Sequence, residues 1–452
     1  MKTEIGSKSE YEQTDLMLRY RKRTGKSAQI YEMARERLPS GNTRTGLFYF
    51  PYPSYIKKGM GSHLWDVDGN ELIDFCFNYS VLILGHRHPK VMQAVQEQLE
   101  SGTVLGGPTE LEVNLAEEIH SRMPVLEMLR FTASGTEAVM NVIRLARAAT
   151  GKRKIVVSKG CFHGTSDSVH LDSAEVPKDV PSQTLIVPYG DSSALKDTLR
   201  DGRGEIAAVL LEPTLGTAGA ISNREYLATV RELTKAEGTL FILDEIVTGF
   251  RLARGGAQEY FKVNPDIVTL GKVIGGGFPV GAFGASEELM NLYAFGSSSS
   301  LAPERPKINQ SGTYNAHPIS MAAGLATLRE LSSDVYPRLN MQGESIRKEF
   351  SDAAREAGIR IQVTGTGSLF HLLFASEPVT DFDSASTADQ NLIRTLNLEL
   401  LCRGVFFPPA HYCNISAVTS DDDIHAAAHA FRQSIAAIKP MVTEVCPSLT
   451  SL

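Results

Sequence analysis

The sequence predicts an α/β protein: a mainly parallel central sheet covered by helices in a large domain, with a smaller α+β domain built from both chain ends. Three observations carry that prediction. The chain has 452 residues, too many for one compact core, so two or more lobes are expected. Between about 89 and 330, helical stretches alternate with short, unbroken apolar runs of the kind buried on both faces of a parallel sheet. On either side of that stretch the pattern changes. The boundaries that follow are 1–75 for an N-terminal segment of the small domain, 76–335 for the large domain and 336–452 for the C-terminal small domain.

Taken in order, residues 10–38 read as helical, with Arg-rich and Glu-rich faces, and stop at Pro39-Ser40-Gly41-Asn42. Residues 54–75 alternate as strands around Asp66-Val67-Asp68-Gly69-Asn70, where Asp-Gly-Asn supplies hairpin chemistry. The apolar runs of the central stretch are 128–131, 154–157, 184–187, 207–211 and 240–243. After Ser320 a helix rich in Ala and Leu leads into short strands at 369–374 and 405–407, and a last helix lies near 421–438.

Composition excludes several classes of function. With 42% hydrophobic and 21% charged residues this is an ordinary globular chain, and a net charge of −7 gives no reason to expect nucleic acid or an anionic membrane as partner. Five scattered cysteines with no CxxC pair argue for reduced thiols in the cytoplasm, and against disulfides or a zinc site. Residues 1–26 have no apolar core of a signal peptide, and no stretch reaches the roughly 20 apolar residues of a membrane span. The run Ser297-Ser298-Ser299-Ser300 reads as a polar surface loop.

Chemistry collects at the ends of the apolar runs. The run 240–243 ends in Asp244-Glu245, and about one strand-loop-strand unit later comes Gly271-Lys272-Val273, ahead of Gly275-Gly276-Gly277. A lysine amine can bond to an aldehyde cofactor, and the bond is useful only with an electron sink attached. In pyridoxal phosphate the sink is a pyridinium ring kept protonated by a buried carboxylate, the part Asp244 would take. Ile246 or Val247 would pack under that ring. Ser134-Gly135-Thr136 follows the run 128–131 and opens a helix, so its amides and hydroxyls form a phosphate seat. A plain N-cap, with Glu137 behind it, explains the same residues equally well.

Phe162 and His163, in Gly160-Cys161-Phe162-His163-Gly164, end the run 154–157. Phe162 can stack on an aromatic cofactor, though a core phenylalanine and a satisfied histidine are the ordinary roles here. Their place at a strand's C-terminal edge, where open α/β sheets bind ligands, favours the site. Glu212-Pro213 ends another run, and two carboxylates in an apolar sheet each need a cationic or hydrogen-bonding partner. Gly271-Lys272 also suggests a nucleotide loop. That fails on spacing, because Val273 replaces Ser or Thr and position 266 is Asp, not Gly.

These residues resemble a known family. Leu243-Asp244-Glu245-Ile246-Val247-Thr248-Gly249-Phe250-Arg251 followed by Thr269-Leu270-Gly271-Lys272-Val273-Ile274-Gly275-Gly276-Gly277 is similar to the signature of class III aminotransferases, fold-type I enzymes that use pyridoxal phosphate. The likeness continues through Leu64-Trp65-Asp66-Val67-Asp68-Gly69, Leu84-Gly85-His86-Arg87-His88-Pro89 and Gly312-Thr313-Tyr314-Asn315. Gly107-Pro108-Thr109-Glu110 and Gly255-Gly256-Ala257-Gln258 resemble glutamate-1-semialdehyde aminomutases. Gly41-Asn42-Thr43-Arg44, Leu47-Phe48-Tyr49 and Pro51-Tyr52-Pro53 resemble β-amino-acid aminotransferases.

The resemblance implies that Lys272 carries the cofactor, Asp244 pairs with the pyridine nitrogen and Phe162 stacks on the ring. It implies that Ser134, Gly135 and Thr136 hold the phosphate, with Thr313 reaching it from a second subunit, hence a homodimer with shared sites. Arg44 is the candidate for the substrate carboxylate, by the two-pronged geometry of guanidinium, with a surface ion pair as its plain alternative. Tyr79 and Tyr314 are candidates to line the pocket.

The expected activity is ping-pong transfer of an amino group from a β-amino acid to a keto acid. The alternatives are the aminomutase, a racemase or decarboxylase on the same scaffold, and a non-catalytic relative. Two departures bear on the choice. Residues 165–183 lack the Gly-Ser-Gly element of the aminomutase lid, and Phe407-Pro408-Pro409-Ala410-His411-Tyr412 lacks the second arginine of the β-amino-acid enzymes.

Overall fold

The computed structural model describes residues 14–170, 176–177, 179–219, 221, 223–296, 307–408 and 412–450. The start of the N-terminal segment, the Ser297-Ser300 loop, part of the 165–183 segment and Pro409-Ala410-His411 lie outside the described residues. The chain divides into two units, one made of Pro89–Thr217 and Ser222–Pro337, the other of Met1–His88, Ala218–Ile221 and Arg338–Leu452.

Both units contain sheets, numbered here in chain order. The strands are β1 (Ile56–Met60), β2 (His63–Asp66), β3 (Glu71–Asp74), β4 (Met128–Thr132), β5 (Lys154–Ser158), β6 (Thr184–Val187), β7 (Ile206–Leu211), β8 (Leu240–Asp244), β9 (Ile267–Gly271), β10 (Gly281–Ala285), β11 (Gln362–Thr364), β12 (Leu369–Leu373), β13 (Val405–Phe406) and β14 (Cys413–Asn414).

The first unit holds a seven-stranded sheet in the order β4-β10-β9-β8-β7-β5-β6. From β9 to β6 every pairing is parallel, while β10 runs antiparallel to both neighbours. The sheet is therefore mixed with a parallel majority. All residues of β7, β9 and β10 are buried, which is why their sequences show no alternation. The Gly135–Thr150 helix lies against it through Ala138, Val139, Val142, Ile143, Leu145 and Ala146, an i, i+3, i+4 stripe packed with Ile155, Val157, Leu210 and Ile242. Ser134 caps its start, and Gly151 ends it at φ 69°.

In the second unit, β13 pairs in parallel with β3, Val405 opposite Ile73, so segments from both ends of the chain share one sheet. The β2-β3 hairpin turns at the Asp66–Asn70 stretch read from sequence, with Asn70 N–H donating to Asp66 Oδ1 at 2.8 Å. Two details differ from expectation. The single helix expected over 10–38 is two, Asp15–Arg23 and Gly25–Ala34, because Thr24 leaves helical geometry at φ −126°. The last helix runs over Asp421–Val445 with Pro440 inside it, carried past the proline by buried Ile438 and Val442. Among the described residues, no helix is long and apolar enough to cross a membrane.

Candidate active site

Parallel strands align their C-terminal ends, and five loops of the large sheet open on that edge. β4 leads to Ser134-Gly135-Thr136, β5 to Phe162-His163, β7 to Glu212, β8 ends in Asp244 and β9 leads into Lys272. Residues read from distant parts of the sequence are thereby brought to one sheet edge.

Asp244 is 3% exposed and both its oxygens are engaged. Its Oδ2 lies 2.7 Å from Nδ1 of His163, and its Oδ1 accepts from Thr269 Oγ1 at 2.8 Å and from the Ile246 amide at 3.2 Å. A carboxylate only accepts, so Nδ1 is the protonated nitrogen of His163. The other nitrogen, Nε2, is buried with no hydrogen-bond partner. Such an orphan in a buried polar cluster is the mark of a ligand site more than of a finished core. Thr269 was not singled out from the sequence. It faces Asp244 across the β8-β9 pair.

Glu212 is also buried, and its Oε2 accepts the Phe162 amide at 2.9 Å. Burial pushes its carboxyl up to about 7, against the pull of His163 and Lys272 and with a further push from Asp244. Phe162 is 54% exposed, so its ring remains open to a ligand. Lys272 is half-buried and opens the Lys272–Gly275 turn at φ 48°, an unusual conformation for a side-chain-bearing residue.

Two glycines set how closely these loops pack. A Cβ on Gly135 would come within 2.6 Å of Ile246 Cδ1, and one on Gly164 within 2.5 Å of Thr136 Oγ1. Ile246 therefore lies against the Ser134-Gly135-Thr136 turn. In that turn Ser134 Oγ accepts the Glu137 amide at 3.3 Å while Glu137 Oε2 accepts the Ala133 amide at 2.9 Å. Ser134 thus acts as the plain helix cap. The cap leaves the Gly135 and Thr136 amides ahead of the first intrahelical bond, at the positive end of the helix.

Thr313 is exposed on the same unit, at a cavity of 360 Å³ that Val104, Leu105, Thr109, Glu112 and His317 also line. Tyr314 beside it is 59% exposed, so it does not serve as a core residue of this chain. Arg44 and Tyr79 belong to the other unit. There the Arg44 guanidinium lies 5.6 Å from the Tyr79 ring centre and donates to Asn78 Oδ1 at 2.6 Å, and the Tyr79 hydroxyl donates to the Gly46 carbonyl at 2.8 Å. Burial raises the Tyr79 phenol above its ordinary range, so it stays a neutral donor.

The strand-edge residues fit pyridoxal phosphate. A fixed, buried carboxylate suits a pyridinium N–H, a half-buried amine suits the aldehyde, and free amides at a helix start suit the phosphate. The orphaned Nε2 of His163 adds a buried polar atom with no hydrogen-bond partner.

Comparison with known proteins agrees. Residues 49–435 match the family described as Aminotransferase class-III. A glutamate-1-semialdehyde 2,1-aminomutase of Methanothrix thermoacetophila is 43% identical over 399 residues, covering 85% of this chain and 90% of that protein. Among solved structures, an omega-transaminase from Sphaerobacter thermophilus is 35% identical with a TM-score of 0.85, over 90% of this chain and 97% of that one. A β-phenylalanine aminotransferase from Variovorax paradoxus is 32% identical with a TM-score of 0.86, over 94% and 98%.

Proposed function

From the fact that the chain belongs to the class III aminotransferases, we propose that it moves an amino group between neighbouring carbons of one molecule, as a glutamate-1-semialdehyde 2,1-aminomutase. The observation that carries this reading is the 43% identity to an aminomutase along 85% of the chain, against 35% and 32% for the two transaminase structures. It reverses the order expected from sequence, which put transfer from a β-amino acid first. That second reading keeps specific support among solved structures, where the β-phenylalanine aminotransferase is 32% identical and an aminomutase from Pseudomonas aeruginosa 26%.

The cofactor is pyridoxal phosphate, which when bound supplies the electron sink that makes a carbon next to the amine acidic. In this reading Lys272 Nζ is the covalent anchor and, once displaced, the base that carries a proton from one carbon to another. Asp244 holds the proton on the ring nitrogen. The His163 Nδ1–H and the Thr269 hydroxyl keep that carboxylate aimed. Phe162 and Ile246 enclose the ring from the ends of β5 and β8. The Gly135 and Thr136 amides and hydroxyls near Ser134 take the phosphate, and Thr313 of a second copy completes it. Arg44 pairs with the substrate carboxylate beside Tyr79. The homodimer and the cytoplasmic location belong to the same reading.

Two incubations test it. Holoenzyme with glutamate-1-semialdehyde alone should form the isomeric 5-amino-4-oxopentanoate without passing nitrogen to an added keto acid. Holoenzyme with a β-amino acid and a keto acid should give little exchange. Fast exchange with no isomerisation would replace the proposal with the second reading.

A further inference from the structure

The segment Phe77–Ser80 carries four consecutive non-glycine residues in the left-handed region, at φ 41°, 53°, 60° and 70°. Each is sterically costly for an L-residue, and such a run persists only where its surroundings over-determine it. Here they do. Asp74 is 1% exposed and its Oδ1 accepts the Cys76 and Phe77 amides at 2.7 and 3.0 Å, while its Oδ2 lies 2.7 Å from Nε2 of His86. The Asn414 amide nitrogen donates to the Cys76 carbonyl at 2.9 Å. Phe77 and Ser80 are fully buried, so the turn is pinned at both ends.

What the pinned turn presents is Asn78, which is exposed, and Tyr79, which is half-buried. Both engage the loop that bears Arg44. Asn78 Oδ1 accepts from Arg44 Nη1 at 2.6 Å, the Tyr79 ring lies beneath the guanidinium, and the Tyr79 hydroxyl holds Gly46 of that loop. A third bond, from the Arg44 amide to Asn42 Oδ1 at 2.8 Å, fixes the backbone. Among the described residues, no carboxylate forms an ion pair with Arg44. The cation is therefore oriented by neutral groups only. A guanidinium has five donors and one is used here, which leaves a two-pronged face and an uncompensated charge.

We propose that Asn78 is a positioning residue: its neutral carboxamide, held out by the left-handed turn, aims Arg44 at the substrate carboxylate without cancelling its charge. This rests on the reading that Arg44 takes that carboxylate. The neutrality of position 78 is as important as its hydrogen bond. Aspartate there has the same shape and accepts the same bond, but would neutralise the guanidinium and compete with the substrate.

The test compares two aminooxy reagents that differ by one carboxylate, aminooxyacetate and methoxyamine, reacting with the cofactor of the holoenzyme. The rate of spectral change is read for wild type, Asn78→Asp, Asn78→Gly and Arg44→Ala. Glycine adopts the required φ without strain, so Asn78→Gly removes the carboxamide while the turn is kept. Wild type should favour aminooxyacetate, and Asn78→Asp should lower that preference about tenfold, the worth of one hydrogen-bonded charge contact. Asn78→Gly should lower it several-fold. With the natural substrate the loss should fall on KM more than on kcat. A merely structural role would be preserved by aspartate. If Arg44→Ala lowers the preference while both Asn78 variants keep it, the proposal is wrong. If Arg44→Ala leaves the preference intact, it is the carboxylate role of Arg44 that fails.

Discussion

Asp244 sets the electrostatic character of this site, because two donors, His163 in the loop after β5 and Thr269 on β9, hold its oxygens in place where water is excluded. Asp244→Asn would preserve shape and remove charge. Turnover should then fall about a hundredfold or more, in line with loss of a preorganised electrostatic partner. Thr269→Val takes one donor from a buried carboxylate oxygen and should cost about 1–3 kcal/mol of the same stabilisation, read as a fall in kcat or in cofactor affinity. Lys272→Ala should fold and bind cofactor without covalent attachment and without turnover, and borohydride should trap the cofactor on Lys272 of the unmutated protein. A peptide map that placed the label on another lysine would contradict the assignment.

Lys272 and Asp244 were legible because each sits in a run of neighbours that restricts it, an apolar strand and a glycine-rich turn. Thr269 and Asn78 were not. The first depends on the register of β8 against β9, the second on a left-handed turn that no glycine announces.

At the scale of elements, the Pro318–Glu330 helix supports the turn that carries Lys272. It is buried along nearly its whole length, and a Cβ on Gly324 would overlap the Ile274 carbonyl oxygen. Backbone meets backbone there, so no rotamer change can relieve an added methyl. Gly324→Ala should destabilise the protein by about 2–3 kcal/mol, the range of overpacked cores, and should shift the cofactor absorption band by moving Lys272. An unchanged denaturation midpoint would show that the helix is free to retreat.

The parallel strands β5 to β8 were legible as apolar runs. β10 was not, since Gly281-Ala282-Phe283-Gly284-Ala285 has low intrinsic strand preference. Its small residues are what its place requires. A Cβ on Gly281 would meet the Ser134 carbonyl oxygen, and one on Gly284 the Met128 carbonyl oxygen.

For the molecule as a whole, charge state and copy number decide how the site behaves. Glu212 and Glu245 are buried and each is pushed up to about 7, with burial as the main cause for both. A carboxyl whose folded pKa exceeds its unfolded value contributes stability that is fully present below about 4.5 and is lost as pH rises through about 7. Stability to denaturant should therefore fall as pH rises from about 4.5 to about 7 and level off above that, and Glu212→Gln should flatten part of the fall.

Copy number is tested by mixing. Thr313 is exposed beside exposed Val104, Leu105 and Tyr314, as expected of a surface that a second copy covers. If Thr313 completes the phosphate site of its neighbour, Thr313→Asp should be inactive by charge repulsion, and so should Lys272→Ala. In a hybrid dimer, however, the subunit that keeps Lys272 receives an intact Thr313 from its partner. One of two sites is then whole, and mixing the two inactive proteins under subunit exchange should restore activity. If Thr313 served its own subunit, no hybrid would contain a whole site and the mixture would stay inactive.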